Sequence, residues 1–122
     1  MPLSESLRGP LIGPVLERLR FCIHKKHYKI RENRKNIRTL SAFGWTIDDQ
    51  EEILSELEPS QCYKVEKDRD YEEVTNCYFF RQMYEGRKLY IKFSLVIRQY
   101  PDGTGDFADI KSLHISDYDD NE

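Results

Sequence analysis

Lys88, Tyr90, Lys92, Ser94 and Arg98 stand at alternate positions, interrupted only by Val96, in the run Lys-Leu-Tyr-Ile-Lys-Phe-Ser-Leu-Val-Ile-Arg at residues 88–98. In an extended strand this spacing puts them on one face, and Leu89, Ile91, Phe93, Leu95 and Ile97 on the other. The polar face holds two lysines, an arginine and a tyrosine but no carboxylate. A solvated strand face usually mixes acids with bases. Groups that hold a phosphate and move a proton point instead to an anionic ligand.

The preceding strand can be placed by arithmetic. Residues 75–84 are rich in aromatic and β-branched side chains, and Gly86 in Glu85-Gly86-Arg87 is a hairpin-turn glycine. A two-residue loop, either Glu85-Gly86 or Gly86-Arg87, pairs odd positions of the first strand with even positions of the second. Arg81 and Met83 then share a face with Tyr90 and Lys92, while Tyr78, Phe80 and Gln82 join Leu89, Ile91 and Phe93. A three-residue loop would reverse one strand and bury Arg81, so the cluster depends on the turn.

The elements around this hairpin are read from periodicity and caps. Leu11, Val15, Leu16, Leu19 and Ile23 predict a helix over 11–24, with Pro14 tolerated only near its first turn. A short extended piece, 28–30, precedes a second helix over 31–43 that turns Ile37, Leu40 and Phe43 or Ala42 inward and ends at Gly44. Its outer side carries Arg31, Arg34, Lys35 and Arg38. A third, acidic helix starts at a capping-box-like Asp48 and Glu51, buries Ile53, Leu54 and Leu57, and stops at Pro59.

Residues 61–73 read as a loop or edge strand. Residues 101–105 form a turn, and 107–116 a last strand in which Leu113 and Ile115 face opposite to His114 and Ser116. Ala108 and Ile110 fall on the His114 side of a regular strand, so a bulge or a late strand start is needed. The order predicts an α+β domain of N-terminal helices packed on one face of an antiparallel sheet. Its parts are an N-terminal helical extension (1–29), helices (30–58), the sheet (62–116) and an acidic tail (117–122).

The 122 residues are enough for one domain with a core of its own. No apolar run approaches the roughly 20 residues of a membrane span. The start of the chain lacks the basic and apolar regions of a signal peptide, so the expected location is the cytoplasm. Cys22, Cys62 and Cys77 are odd in number, widely spaced and form no Cys-x-x-Cys pair; reduced, structural thiols are expected.

The net charge of −3 hides a division along the chain. Residues 18–38 hold nine lysines and arginines against the single acid Glu32, whereas residues 48–73 hold eleven acids against three bases. The basic segment suits a polyanion or a solvated helix face, and the acidic one a basic protein partner. His24 and His27 flank two lysines that repel a cation, and the turn from Asp102 to Asp106 lacks the spacing of a calcium loop. No metal or cofactor site is expected.

Arg34-Lys35-Asn36, Thr39-Leu40, Gly44, Ile53-Leu54-Ser55-Glu56-Leu57, Cys62-Tyr63-Lys64 and Gly86 leading into Leu89-Tyr90-Ile91-Lys92 together resemble the MqsR family of type II toxins, over about residues 34–116. The resemblance implies a RelE-like fold and a metal-independent endoribonuclease that cuts single-stranded mRNA and is held off by a cognate antitoxin protein. It leaves open whether the ribosome takes part. The family lysine after an aromatic residue matches Lys64, its strand tyrosine matches Tyr90, and its mid-sheet glutamine falls at Arg81 or Gln82. Its terminal Ser-Phe-Lys motif, with histidine in other members, aligns at Ser116. There Asp117 and Tyr118 replace the aromatic and basic residues, leaving His114 or Lys92 to supply the last cation.

Cleavage without a metal needs a base for the 2′-hydroxyl, an acid for the leaving 5′-oxygen and cations for the phosphate. Lys64 and Arg81 are assigned to the phosphate, Tyr90 or Lys92 to the base and His114 to the acid. Arg31, Arg34, Lys35, Arg38 and Lys88 are the expected RNA contacts. The alternative is a non-catalytic module that binds RNA or protein through the same surfaces.

Overall fold

Strict alternation of apolar and polar residues builds the centre of this protein. The computed structural model describes residues 5–71 and 75–116. Its elements are α1 (Glu5–Lys25), β1 (Tyr28–Ile30), α2 (Arg34–Phe43), α3 (Ile47–Ser55), a single 3-10 turn (Pro59–Gln61), β2 (Cys62–Lys67), β3 (Asn76–Tyr84), β4 (Arg87–Tyr100) and β5 (Gly103–Ile115). The strands form one sheet in the order β1-β5-β4-β3-β2, antiparallel throughout except that β1 runs parallel to β5. It is an α+β fold, with α1 and α3 covering one face.

The β3–β4 hairpin has the two-residue loop Glu85-Gly86, since Tyr84 pairs with Arg87. Both loop residues have positive φ, 47° and 78°, as a type I′ turn demands. Arg81 accordingly pairs with Tyr90 and Phe79 with Lys92, while Phe80 and Ile91 face the core.

Helix α1 starts earlier than its periodicity suggests and contains both Pro10 and Pro14. Both prolines are exposed, and the helix is held by its buried stripe of Ile12, Val15, Leu16, Leu19, Cys22 and Ile23. Leu11, expected in that stripe, faces solvent. Helix α3 is capped by Thr46 in a capping box with Asp49, two residues before the expected start. Gln61 to Lys67 is ordered, and β2 forms the edge strand beside β3.

The largest departure is in α2. Its N-cap is Asn33, so Arg31 precedes the helix, and Gly44 closes it with φ 65°. Asn36 and Thr39 are buried, whereas Ile37, expected inside, is 46% exposed. The helix lies along the edge of β5 beyond the end of β1, where the open peptide groups of the strand require polar partners.

Strand β5 begins at Gly103, earlier than expected, and carries a bulge. Lys92 pairs with Ser112 but Phe93 with Ile110, which leaves Lys111 as the extra residue. This puts Ala108, Ile110, Leu113 and Ile115 on the core side together. At the far end of β4 the core has run out, so Ile97 is 53% exposed and Val96 is buried instead.

The bulge residue anchors an ion network on the face opposite α1. Lys111 Nζ lies 2.7 Å from Asp68 and 2.6 Å from Asp70, and Ser94 donates to Asp68. Arg31 binds both carboxylate oxygens of Asp109 and reaches Asp70, and Tyr71 donates to Asp109. Burial alone would raise the Asp68 carboxyl, but hydrogen bonds from Lys111 and Ser94 outweigh it and hold it below the ordinary carboxylate range. Asp109 is likewise held low by Arg31 and Tyr71 against its burial. Burial would lower the Lys111 ammonium, yet Asp68 and Asp70 hold it above its ordinary value.

All three cysteines are free and buried. Burial pushes the Cys22 thiol up to about 11 and raises Cys62 and Cys77 too, as inert structural thiols require. No described helix is long and apolar enough to cross a membrane.

The depressed carboxylates contribute stability that is complete above the unfolded aspartate value of about 4 and is lost as pH falls through their folded values. The raised Lys111 contributes below its unfolded value of about 10.4 and fades as pH rises through its folded one. Urea unfolding should therefore show a plateau between these limits. Lys111→Met, which strands Asp68 in the interior, should cost about 3–5 kcal/mol at pH 7, and because burial then raises the Asp68 carboxyl, that cost should shrink as pH falls through the aspartate range. A loss below about 1 kcal/mol, the range of an exposed pair, would contradict the network's role.

Candidate functional site

The sheet face opposite α1 carries a groove of about 560 Å³ whose floor is Phe79 and Tyr90. β4 contributes Tyr90 and Lys92 by simple alternation. The strands to either side reach it by irregularity. In β2, Cys62 pairs with Phe80 and Lys64 with Phe79, so Tyr63 is an extra residue and Lys64 is turned to the groove while Cys62 stays in the core. In β5 the bulge at Lys111 turns Ser112 and His114 to the same side, opposite Lys92 and Tyr90.

Phe79 is flanked by two ammonium groups, Lys64 Nζ at 4.4 Å and Lys92 Nζ at 5.3 Å from its ring centre. The Arg81 guanidinium lies 3.9 Å over Tyr63 and 5.5 Å from the Tyr90 ring. The rings of Tyr90 and His114 meet edge to face with centres 6.3 Å apart. His114 Nδ1 is 3.1 Å from the carbonyl oxygen of Ile115, and Lys64 is 3.3 Å from Glu66. Tyr90 itself is 6% exposed. From α2, Arg34 and Lys35 form the opposite bank.

Among the described residues, no aspartate or glutamate lines this groove. In a chain of net charge −3, four cations and a histidine on one acid-free lining form a local inversion of the whole-molecule balance. A neighbouring hollow of about 870 Å³ shares Phe79, Lys92 and Ser112 but mixes its cations with Glu66, Asp68 and Asp70.

The structure thus brings together Lys64, Tyr90, Lys92 and His114, with Arg81 stacked beside them and Arg34 and Lys35 across from them. It does not bring the other expected contacts there. Arg31 is held by Asp109 and Asp70, Arg38 lies exposed further along α2, and Lys88 sits at the hairpin end opposite Met83. Much of the basic segment is used internally: Arg18 binds Asp106, Arg20 the carbonyls of Ser55 and Leu57, and Lys26 binds Glu51.

Residues outside the sequence-based assignment are Tyr63, Phe79, Ser112 and, behind the groove, Asn36 and Thr39. The i, i+3 recurrence of Asn33, Asn36 and Thr39 is the signal that marks one polar, inward helix face. The acidic tail 117–122, with Asp117 and Tyr118 of the expected terminal motif, lies outside the described residues. Compared with protein families, curated proteins and solved structures, the chain matches none.

The acid-free lining predicts where polyanions attach. On a heparin column, Lys64→Ala and Lys92→Ala should each elute at lower salt than the parent, whereas Lys25→Ala on α1 should not move. Equal elution of all four proteins would place the anion-binding surface elsewhere.

Proposed function

We propose that the groove binds single-stranded RNA and cleaves it without a metal, as the toxin of a type II toxin–antitoxin pair. The observation that supports this most is the convergence of Lys64, Arg81, Tyr90, Lys92 and His114 around an aromatic floor with no acid in the lining. The phenolate form of Tyr90 takes the proton of the 2′-hydroxyl, whose oxygen attacks the adjacent phosphorus. The 5′-oxygen leaves with a proton from His114, giving a 2′,3′-cyclic phosphate and a free 5′-hydroxyl. Lys64, Lys92 and Arg81 hold the phosphate as its charge grows, and Phe79 offers a stacking surface for a base.

One further feature supports the family resemblance. The Ser-aromatic-basic motif was expected at Ser116, but Ser112-Leu113-His114 has the same pattern of small polar, core-facing apolar and basic residues, and it faces the groove. A cognate antitoxin and a cytoplasmic mRNA substrate follow from that resemblance.

A second reading has one observation in its favour. Tyr90 is largely buried, and aromatic rings set among cations on an open sheet are equally the equipment of a binding surface that breaks no bond.

The test is incubation of a mixed-sequence single-stranded RNA with the protein in EDTA. Discrete products with 2′,3′-cyclic phosphate ends are expected, with rates reduced about 100-fold or more in Tyr90→Phe and His114→Ala. RNA bound but left intact, with and without ribosomes, would favour the binding module.

A further inference from the structure

Strand β1 pairs only along Ala108–Ile110, so beyond the bulge β5 would present an open edge toward α2. Two buried polar side chains close it. The Leu113 N–H donates to Asn36 Oδ1 at 2.9 Å, and the Ile115 N–H donates to Thr39 Oγ1 at 3.1 Å. These are the N–H groups of the residues on either side of His114. Asn36 Nδ2 also donates to the carbonyls of Arg31 and Lys111, so one amide spans the bulge that sets which way His114 points.

We propose that Asn36 and Thr39 are positioning residues for His114, an inference that rests on the ribonuclease reading above. A core helix face is ordinarily apolar. Here two polar groups occupy it, three residues apart, and each meets a backbone group flanking the proposed acid. Arg34 and Lys35 project from the preceding part of the same helix to the groove. The helix that would grip the RNA and the strand that would donate the proton are therefore joined rigidly, so phosphate and acid keep one geometry.

The test compares Thr39→Val, which keeps shape but removes the acceptor, with Thr39→Ser, which restores an oxygen, and with Asn36→Asp, which loses the two donated bonds. Two quantities are read in each folded variant: RNA cleavage, split into kcat and KM, and the nuclear Overhauser contact between the His114 and Tyr90 rings. Thr39→Val and Asn36→Asp should lower kcat tenfold or more with KM within twofold and weaken the ring contact. Thr39→Ser should stay within twofold of the parent on both constants. A folded Thr39→Val with parental kcat and an intact ring contact would overturn the proposal. Should that variant not fold, Asn36→Asp decides on the same criteria. If the parent cleaves no RNA, the ribonuclease reading fails by itself. The ring contact then still decides: its loss in a folded variant supports positioning, and its retention refutes it.

Discussion

Side chains on a β-strand alternate with a period of two, so one inserted residue exchanges the faces of everything beyond it. The groove depends on this twice. Were β2 regular through Tyr63, Lys64 would fall opposite Tyr78 and point into the core; were β5 regular through Lys111, His114 would share a side with the core-facing Ala108 and Ile110. Both bulges leave a hydrophobic face intact on one side while assembling cations, a phenol and an imidazole on the other. Each is held by named contacts: Tyr63 stacks on Arg81, and Lys111 is tied by Asp68 and Asp70 through its ammonium and by Asn33 and Asn36 through its carbonyl.

Charge is sorted by the same architecture. At one end of the sheet face, Arg31 and Lys111 are neutralised by three aspartates, Asp68, Asp70 and Asp109. At the other end the lining has no acid among the described residues. The sign of the molecule as a whole therefore says little about its partner. What matters is that Asp68, Asp70 and Asp109 are committed to Arg31 and Lys111 behind the groove, whereas Glu66 reaches Lys64 of the groove itself.

The hairpin faces were legible in the sequence because either two-residue turn containing Gly86 puts Arg81, Tyr90 and Lys92 on one face, and the structure has the Glu85-Gly86 turn. The conflict between Ala108 and Leu113 showed that β5 needs either a bulge or a late start, and the structure has the bulge, at Lys111. The inner face of α2 was not. Hydrophobic periodicity names Ile37, yet the neighbour of this helix is a strand edge, and an edge is satisfied by Asn36 and Thr39. The dense cationic run likewise says nothing of which members find acids in the folded chain: Arg18 and Arg31 do, from residues 88 and 78 positions away.

The central claim is that this sheet face receives a single RNA strand. It is tested most directly by titrating isotope-labelled protein with a 2′-O-methyl RNA oligonucleotide, which lacks the attacking hydroxyl and cannot be cut. Amide shifts should concentrate at Lys64, Phe79, Tyr90, Lys92, Ser112 and His114 and at the start of α2, and should weaken steeply as salt is raised. Shifts confined to the exposed face of α1, or no shifts at low salt, would contradict the account.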